Sequence, residues 1–455
     1  MDVAASTLLI PPRPPMAERD LPLLSYLRAI RRNALTMWTE RAYEEEILVR
    51  RLLTRATVLV NDPDAIHRVL VENPGNYRRS PASIRILWPI AGDGLLLSEG
   101  EAWRHQRRTI APALAPRVLP MLVRHMVATA EQQIDALAAR ADRPVDLLAA
   151  MQMLALEIAG RSMFSLEMRK FGAGMRLLLT EYGERLAQPH LFDMLLPSSV
   201  PTLRDLRRRR FRARWLRLMD SVMHARLDMP APDTPRDLFD LLRAARDPET
   251  GQGFSPAQLR DQLATLILAG HETTAVTLFW ALSLLAQDPA EQARVAAEAA
   301  TVPITADAAM DALPRLILTR AVISETLRLY PPAFAIVRAA IGPDRFEKFD
   351  LAGGSVVMIA PWVLHRHRRL WRDPDAFDPA RFLPDAPATP RFAYLPFGAG
   401  PRVCVGAQFA LTEATLVLAM LVRRFRVTLI DAPPMPTAVV TTHPDRMVAF
   451  SLTAR

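Results

Sequence analysis

One cysteine, Cys404, stands in 455 residues. An intramolecular disulfide is therefore excluded, and so are a structural zinc site or an iron–sulfur cluster built on several thiolates. Lysine is nearly missing too: Lys170 and Lys348 are the only two, so arginine carries the net charge of +9. There is no Ser/Gly-rich linker, no low-complexity tract and no repeat at a fixed period, which argues against a string of domains. The N-terminus lacks the cationic, apolar and small-residue zones of a signal peptide. Met1 to Ile10 is too short to span a bilayer, and prolines follow at once between 11 and 15. Two longer apolar stretches also fail as spans: Leu263 to Ala286 carries His271, Glu272 and several threonines, and Thr415 to Val422 is too short. The expectation is a cytoplasmic protein without a transmembrane segment.

What is present is a chain that is 50% hydrophobic, enough for a large core. Its one thiol lies in Phe397-Gly398-Ala399-Gly400-Pro401-Arg402-Val403-Cys404-Val405-Gly406, directly before an apolar segment with helical spacing. A glycine-rich turn that delivers a thiol to a helix start exposes it to unpaired N–H donors and the positive end of the dipole, which favour thiolate. A lone thiolate is the ligand set of a haem iron; the bland alternative is an inert buried cysteine. The densest charge run, Arg204 to Arg217, has no reader motif or stacking aromatics beside it. It reads as a solvated helix face, not a nucleic-acid surface, and leaves room for a weak peripheral contact with anionic lipid.

Periodicity places a strand pair at Glu46 to Leu53 and Ala56 to Val60, then a short helix capped by Asp62-Pro63-Asp64. Helices are predicted at Val118 to Ala139, Val145 to Phe164, Met175 to Leu186 and Arg207 to Arg226. Ser255-Pro256 opens a far longer one, Gln258 to Ala286, with serine as N-cap and proline in the first turn. After another helix come a strand-like run at Ser355 to Ala360, a proline-rich meander over Phe377 to Phe382, a helix at Val405 to Phe425 and a strand at Met447 to Leu452. The fold class is mainly α with a small β region (α+β).

The cysteine loop, with Phe397, Gly400, Arg402, Cys404 and Gly406, resembles the haem-binding loop of the cytochrome P450 family. Ala269-Gly270-His271-Glu272-Thr273-Thr274 is similar to that family's oxygen-activating helix, Glu325-Thr326-Leu327-Arg328 to its Glu-x-x-Arg helix, and Pro379-Ala380-Arg381-Phe382 to the motif that follows. Trp103 and Arg107 match a fifth signature. The order is the family's, and the likeness runs from about residue 40 to 455. It implies a helix-rich prism with haem between the long central helix and the cysteine loop. It also implies one haem domain at 40–455 behind an N-terminal segment, 1–39.

The resemblance assigns roles. Cys404 is the iron ligand; Ala269, Gly270, Phe397, Gly398 and Gly406 border the haem; Trp103, Arg107, Arg338 and Arg402 meet its two anionic propionates. Gly270 removes bulk where the helix crosses the flat cofactor. Glu272 and Thr273 relay protons during dioxygen activation, against the bland reading that the threonine only bonds back to the preceding turn. Glu325, Arg328 and Arg381 lock the meander and are structural. The distal cavity draws on Ile84 to Ile90, Leu95 to Leu97 and Tyr182 to Met194. Leu87, Trp88, Leu266, Phe334, Ile336 and Val440 are its substrate contacts, with Arg85, Tyr182 and His190 as polar anchors. Arg104 and Arg108 face solvent or an acidic electron donor.

Two short matches lead nowhere. His271-Glu272-Thr273-Thr274-Ala275 has alanine where a zinc helix needs its second histidine, and Gly398-Ala399-Gly400 lacks the third glycine of a dinucleotide fingerprint. The expected function is a haem b monooxygenase that inserts one atom of O2 into a C–H bond of an apolar small molecule: a fatty acid, terpenoid, steroid or aromatic. Electrons are expected from a separate ferredoxin and ferredoxin reductase, with NAD(P)H used only through them, because the chain stops soon after the haem domain. A peroxide-using enzyme of the same fold and a non-catalytic haem sensor or carrier are the alternatives.

Overall fold

The computed structural model describes residues 8–52, 55–140, 143–190, 192, 193, 196, 200–230, 233–346 and 349–455. Leu53 of the first expected strand, Lys348, and Leu191 and Met194 of the expected cavity lining lie outside the described residues.

The architecture is helical with small sheets, as the sequence patterns indicate. The longest element is a central helix, Pro256–Gln287. It begins in a capping box: Ser255 Oγ accepts from the Gln258 N–H, and the Gln258 side chain accepts from the Ser255 N–H at 2.9 Å. It is hydrophobic nearly all round, which suits a helix enclosed by others. A five-stranded sheet has the order Ile47–Leu52, Arg55–Val60, Val356–Ile359, Ile336–Ala340, Tyr77–Arg79. Only the contact between the second and third of these is parallel. A two-stranded hairpin, Pro436–Ala438 with Thr442–Pro444, lies near the C-terminus.

Several expectations shift. Val145 and Asp146 form a short strand, with Asp146 capping a helix that starts at Leu147. The helix expected from Met175 begins at Arg169 and ends in a π turn, Tyr182–Leu186. The helix after the thiol spans Ala407–Arg424, so Cys404 stands three residues ahead of it. The arginine run lies on the helix Leu203–Leu227 but is not simply a solvated face. Arg208 is buried and paired with Asp193 at 2.7 Å, and Arg212 is paired with Asp261. In the expected N-terminal segment, 1–39, Leu35, Met37 and Trp38 are buried in the main core. Among the described residues one helix, Leu147–Phe164, is long and apolar enough to cross a membrane, and most of it is buried inside the protein.

Three apolar clusters make up the core among the described residues. The central helix contributes Leu259 to Ile267 to one and Ala275 to Leu285 to another. Between those stretches lies Ala269 to Thr273, which belongs to no cluster. The cysteine loop bridges all three: Phe397 packs on the first, Val405 on the second and Ala399 on the third.

Candidate haem-thiolate site

The thiol loop is fixed by its own backbone. The Cys404 N–H donates to Phe397 O at 2.9 Å, Val403 N–H to Gly400 O at 3.0 Å and Gly398 N–H to Leu395 O at 3.1 Å. Gly398 and Gly400 both have φ +70°, a left-handed conformation that favours glycine. Gly400 also lies so close to a neighbouring turn that a Cβ there would sit 1.9 Å from Leu70 O. Cys404 remains accessible on one side. Protein crowds its other sides, and this desolvation pushes the free thiol's pKa up, against the Gly406 N–H and the Arg107 charge, which pull it down. The expectation that a helix start alone favours thiolate is corrected accordingly: burial outweighs the donors. Coordination to a metal ion deprotonates a thiol outright.

On the central helix, Ala269 is exposed although the helix on either side is buried. An open alanine on the central helix where two of the clusters part, and an open cysteine in a loop that touches all three, fit a flat group held between helix and loop. Gly270 follows, with room around it among the described protein atoms. A Cβ there would meet Met163 Cε, on the helix Leu147–Phe164, at an ordinary 3.5 Å.

The electrostatics fit haem as well. Arg79 and Arg338 are register partners on neighbouring strands. Burial first, then each other's charge and that of Arg402, lowers Arg79 to about 9, and burial and Arg402 lower Arg338 to about 10. One carboxylate answers the three: Glu99 pairs with Arg402 and accepts from the Arg79 backbone N–H at 3.0 Å. Arg79 Nε and an Arg402 Nη stay buried without a partner. Guanidinium groups arranged this way suit two carboxylates such as propionates. The Trp103 ring lies 4.5 Å under the Arg402 guanidinium. Arg107 donates to Val403 O at 2.8 Å, so both residues on the helix Gly100–Ile110 brace the thiol loop. Arg104 and Arg108 are not free cations: Arg104 pairs with Glu101, and Arg108 with Asp247, Glu101 and Glu249.

Thr273 Oγ1 donates to Ala269 O at 2.5 Å, a back-bond along its own helix. The Glu272 carboxylate turns elsewhere, to Gln152 Nε2, His271 Nε2 and His443 Nε2 at 3.2 to 3.4 Å.

Behind the loop, Glu325 and Arg328 face each other with no exposed surface, joined by bonds of 2.7 and 2.8 Å. Arg328 also donates to His365 O, Pro374 O and Ala376 O, and Glu325 accepts from the Asp378 N–H. Arg381 approaches Glu325 at 3.6 Å and donates to Asp373 O. Sequence reasoning missed His365, which accepts from the Leu395 N–H at 2.8 Å and so ties this network to the thiol loop.

The expected substrate contacts come from different cores. Leu266 is buried in the second cluster, Phe334 packs on the first and Ile336 on the third, whereas Val440 is exposed in the hairpin turn. Leu87 is half-buried. Trp88 is engaged by Asp93 through its indole N–H and by Arg212 stacked on its ring at 4.3 Å. Of the polar anchors, Arg85 is taken up by Phe192 O and Val200 O. His190 is half-buried, its backbone N–H on Asp193. Tyr182 is buried with no hydrogen-bond partner for its hydroxyl. Arg79, His443 and Gln152 carried no sequence signal, because strand register and helix packing bring them to the site.

Comparison with known proteins agrees with this geometry. The Cytochrome P450 family model matches residues 14–449. Cyclooctatin synthase of Streptomyces melanosporofaciens is 33% identical over 445 residues, 95% of each chain. Pentalenene oxygenase of Streptomyces avermitilis is 34% identical over 80% of this chain and 81% of its own. The crystal structure of the cytochrome P450DA heme domain superposes with TM-score 0.78 and 25% identity over 98% of both chains.

Proposed function

This chain belongs to the cytochrome P450 family, and on that premise we propose that it hydroxylates a C–H bond of a cyclic terpenoid. The observation that carries the reading is the loop of accessible Cys404, which packs on all three cores and holds Arg402 beside the under-neutralised register pair Arg79 and Arg338. Cys404 Sγ would hold haem b, and the three arginines its propionates. Haem held by a cysteine thiolate supplies one-electron chemistry and cleavage of O2.

The chain's own residues do the rest. Arg107 and Trp103 keep the loop seated from one side and the Glu325–Arg328 pair from the other. Leu266, Phe334 and Ile336, with Leu87 and Val440, offer an apolar lining that binds by shape and excludes water. Glu272 holds and passes a proton, and the Thr273 hydroxyl, once it leaves Ala269 O, accepts that proton on Oγ1 as it gives up its own O–H proton toward the distal cavity. The terpenoid class is supported by relatives named for cyclooctatin and pentalenene. Separate ferredoxin and reductase partners supply the electrons in this reading.

The test is titration of the ferric holoprotein with cyclic terpenes, steroids, fatty acids and aromatics, following the haem Soret band. A saturable shift with cyclic terpenes alone supports the reading, and a shift only with another class overturns its substrate. Cys404→Ser should fold yet lose the thiolate spectrum. Thr273→Ala should consume the same reducing equivalents but release peroxide in place of product.

A further inference from the structure

The base sequence motif accounts for Glu272 but not for the groups around it. Three elements converge on this carboxylate: His271 from the central helix, Gln152 from Leu147–Phe164, and His443 from the strand Thr442–Pro444 of the C-terminal hairpin. No arginine or lysine pairs with it among the described residues, although the chain holds 57 such cations. Its ion partners are both imidazoles. Every other histidine–carboxylate pair in the described structure has an arginine on the same carboxylate: Arg68 beside His67 on Glu72, and Arg108 beside His105 on Asp247.

The difference is chemical. Arginine stays protonated throughout the physiological range and cannot pass a proton, whereas imidazole gains and loses one between about pH 5 and 8. The two imidazoles are not equivalent. His271 is buried, and burial lowers its pKa, which keeps it neutral. His443 has a side chain 33% exposed, and its Nε2 lies 3.2 Å from Glu272 Oε1 and 2.6 Å from Thr441 Oγ1.

We propose that His443 is the positioning and proton-exchange partner of Glu272, recharging the carboxylate that the function proposed above uses as a relay. The step is balanced within the pair. With a proton on each ring nitrogen, the Nε2–H bond of His443 breaks as an O–H bond forms on Glu272 Oε1, so an imidazolium and a carboxylate become a neutral imidazole and a carboxylic acid. Nδ1 keeps its proton, and the ring regains the other from solvent. Gln152 donates to either carboxylate oxygen and holds the plane, and Thr441 fixes the imidazole. Since His443 follows the exposed Val440 by three residues in one hairpin, the element expected to touch substrate also carries the proton partner.

The inference rests on the monooxygenase reading for its purpose but not for its test. The first measurement is a double-mutant cycle on the holoprotein, with His443→Asn, Glu272→Gln and both together, read as thermal unfolding from about pH 5.5 to 8.5. The pair should show a coupling of about one to three degrees, as two side chains in direct contact do. A coupling absent over that whole range overturns the proposal. The second measurement is peroxide released per reducing equivalent. His443→Asn should raise it severalfold, and His443→Arg, which keeps the charge and the contact but cannot exchange a proton, should raise it equally. If His443→Arg restores wild-type coupling of turnover, the contact only positions Glu272 and proton exchange is refuted. A protein with no thiolate spectrum at all would sink the function instead, while leaving the cycle readable.

Discussion

Arg79 and Arg338 stand directly opposite each other on antiparallel strands, two half-buried arginines in one register pair, with a third, Arg402, beside them. Like charges opposite one another destabilise a sheet. Their arrangement makes sense only against an anion, and the buried, unpartnered Nε of Arg79 marks where a bond is still to be made.

Arg79→Gln should therefore speed haem loss to a scavenger protein by about 10- to 100-fold, the equivalent of one charge-assisted hydrogen bond of about 1.5–3 kcal/mol. The haem-free form of the same variant should melt no lower than wild type, because a repulsion has been removed. Unchanged haem retention would remove Arg79 from the site.

Glu325→Ala leaves Arg328 as an uncompensated buried charge, a loss of about 3–5 kcal/mol. Haem-free or insoluble protein is expected, and ordinary expression with a normal absorption spectrum would contradict the role given to this pair.

Gly400 and Gly406 differ in a testable way. At Gly400 a methyl group would meet Leu70 O at 1.9 Å and impose side-chain strain at φ +70°, so Gly400→Ala should unseat the loop and abolish haem binding. At Gly406 φ is −93° and no protein atom lies within 4 Å of the added carbon. Gly406→Ala should unfold at the wild-type temperature, as a melt followed by circular dichroism would show.

His365 predicts an acid limb of stability. Burial, reinforced by Arg328, lowers its pKa from 6.5 to about 3. Between those values the unfolded chain takes up a proton that the folded chain refuses, so stability rises with pH across the window and is lost as pH falls. The slope is at most about 1.4 kcal/mol per pH unit. His365→Leu should cost stability at neutral pH, since the Leu395 N–H loses its acceptor, and should flatten that slope. Denaturant titrations at pH 4 to 7 would check both.

Most of the chemistry was legible because it is local. Ser255-Pro256 with Gln258 three positions later specifies a helix start wherever the chain lies, and the structure has that capping box. Glu325 and Arg328, three apart, must share a helix face. The glycines around Cys404 announce a left-handed turn, and the turn is there. Reading the arginine run as a solvated face failed for Arg208 and Arg212 because their partners, Asp193 and Asp261, are distant in sequence. That Met163 packs beside Gly270 was not legible either, because a helix pattern gives a face, not what packs on it.

The sequence by itself thus determined the thiol, the loop that presents it, the paired charges behind it and the class of fold, all set by short-range backbone and side-chain constraints. Only the tertiary structure decided that Arg79 joins Arg338 and Arg402, that His365 bridges the Glu325 network to the loop, and that His443 reaches Glu272. Those contacts join residues separated by up to some hundreds of positions, and they depend on strand register and helix packing, which no local pattern encodes.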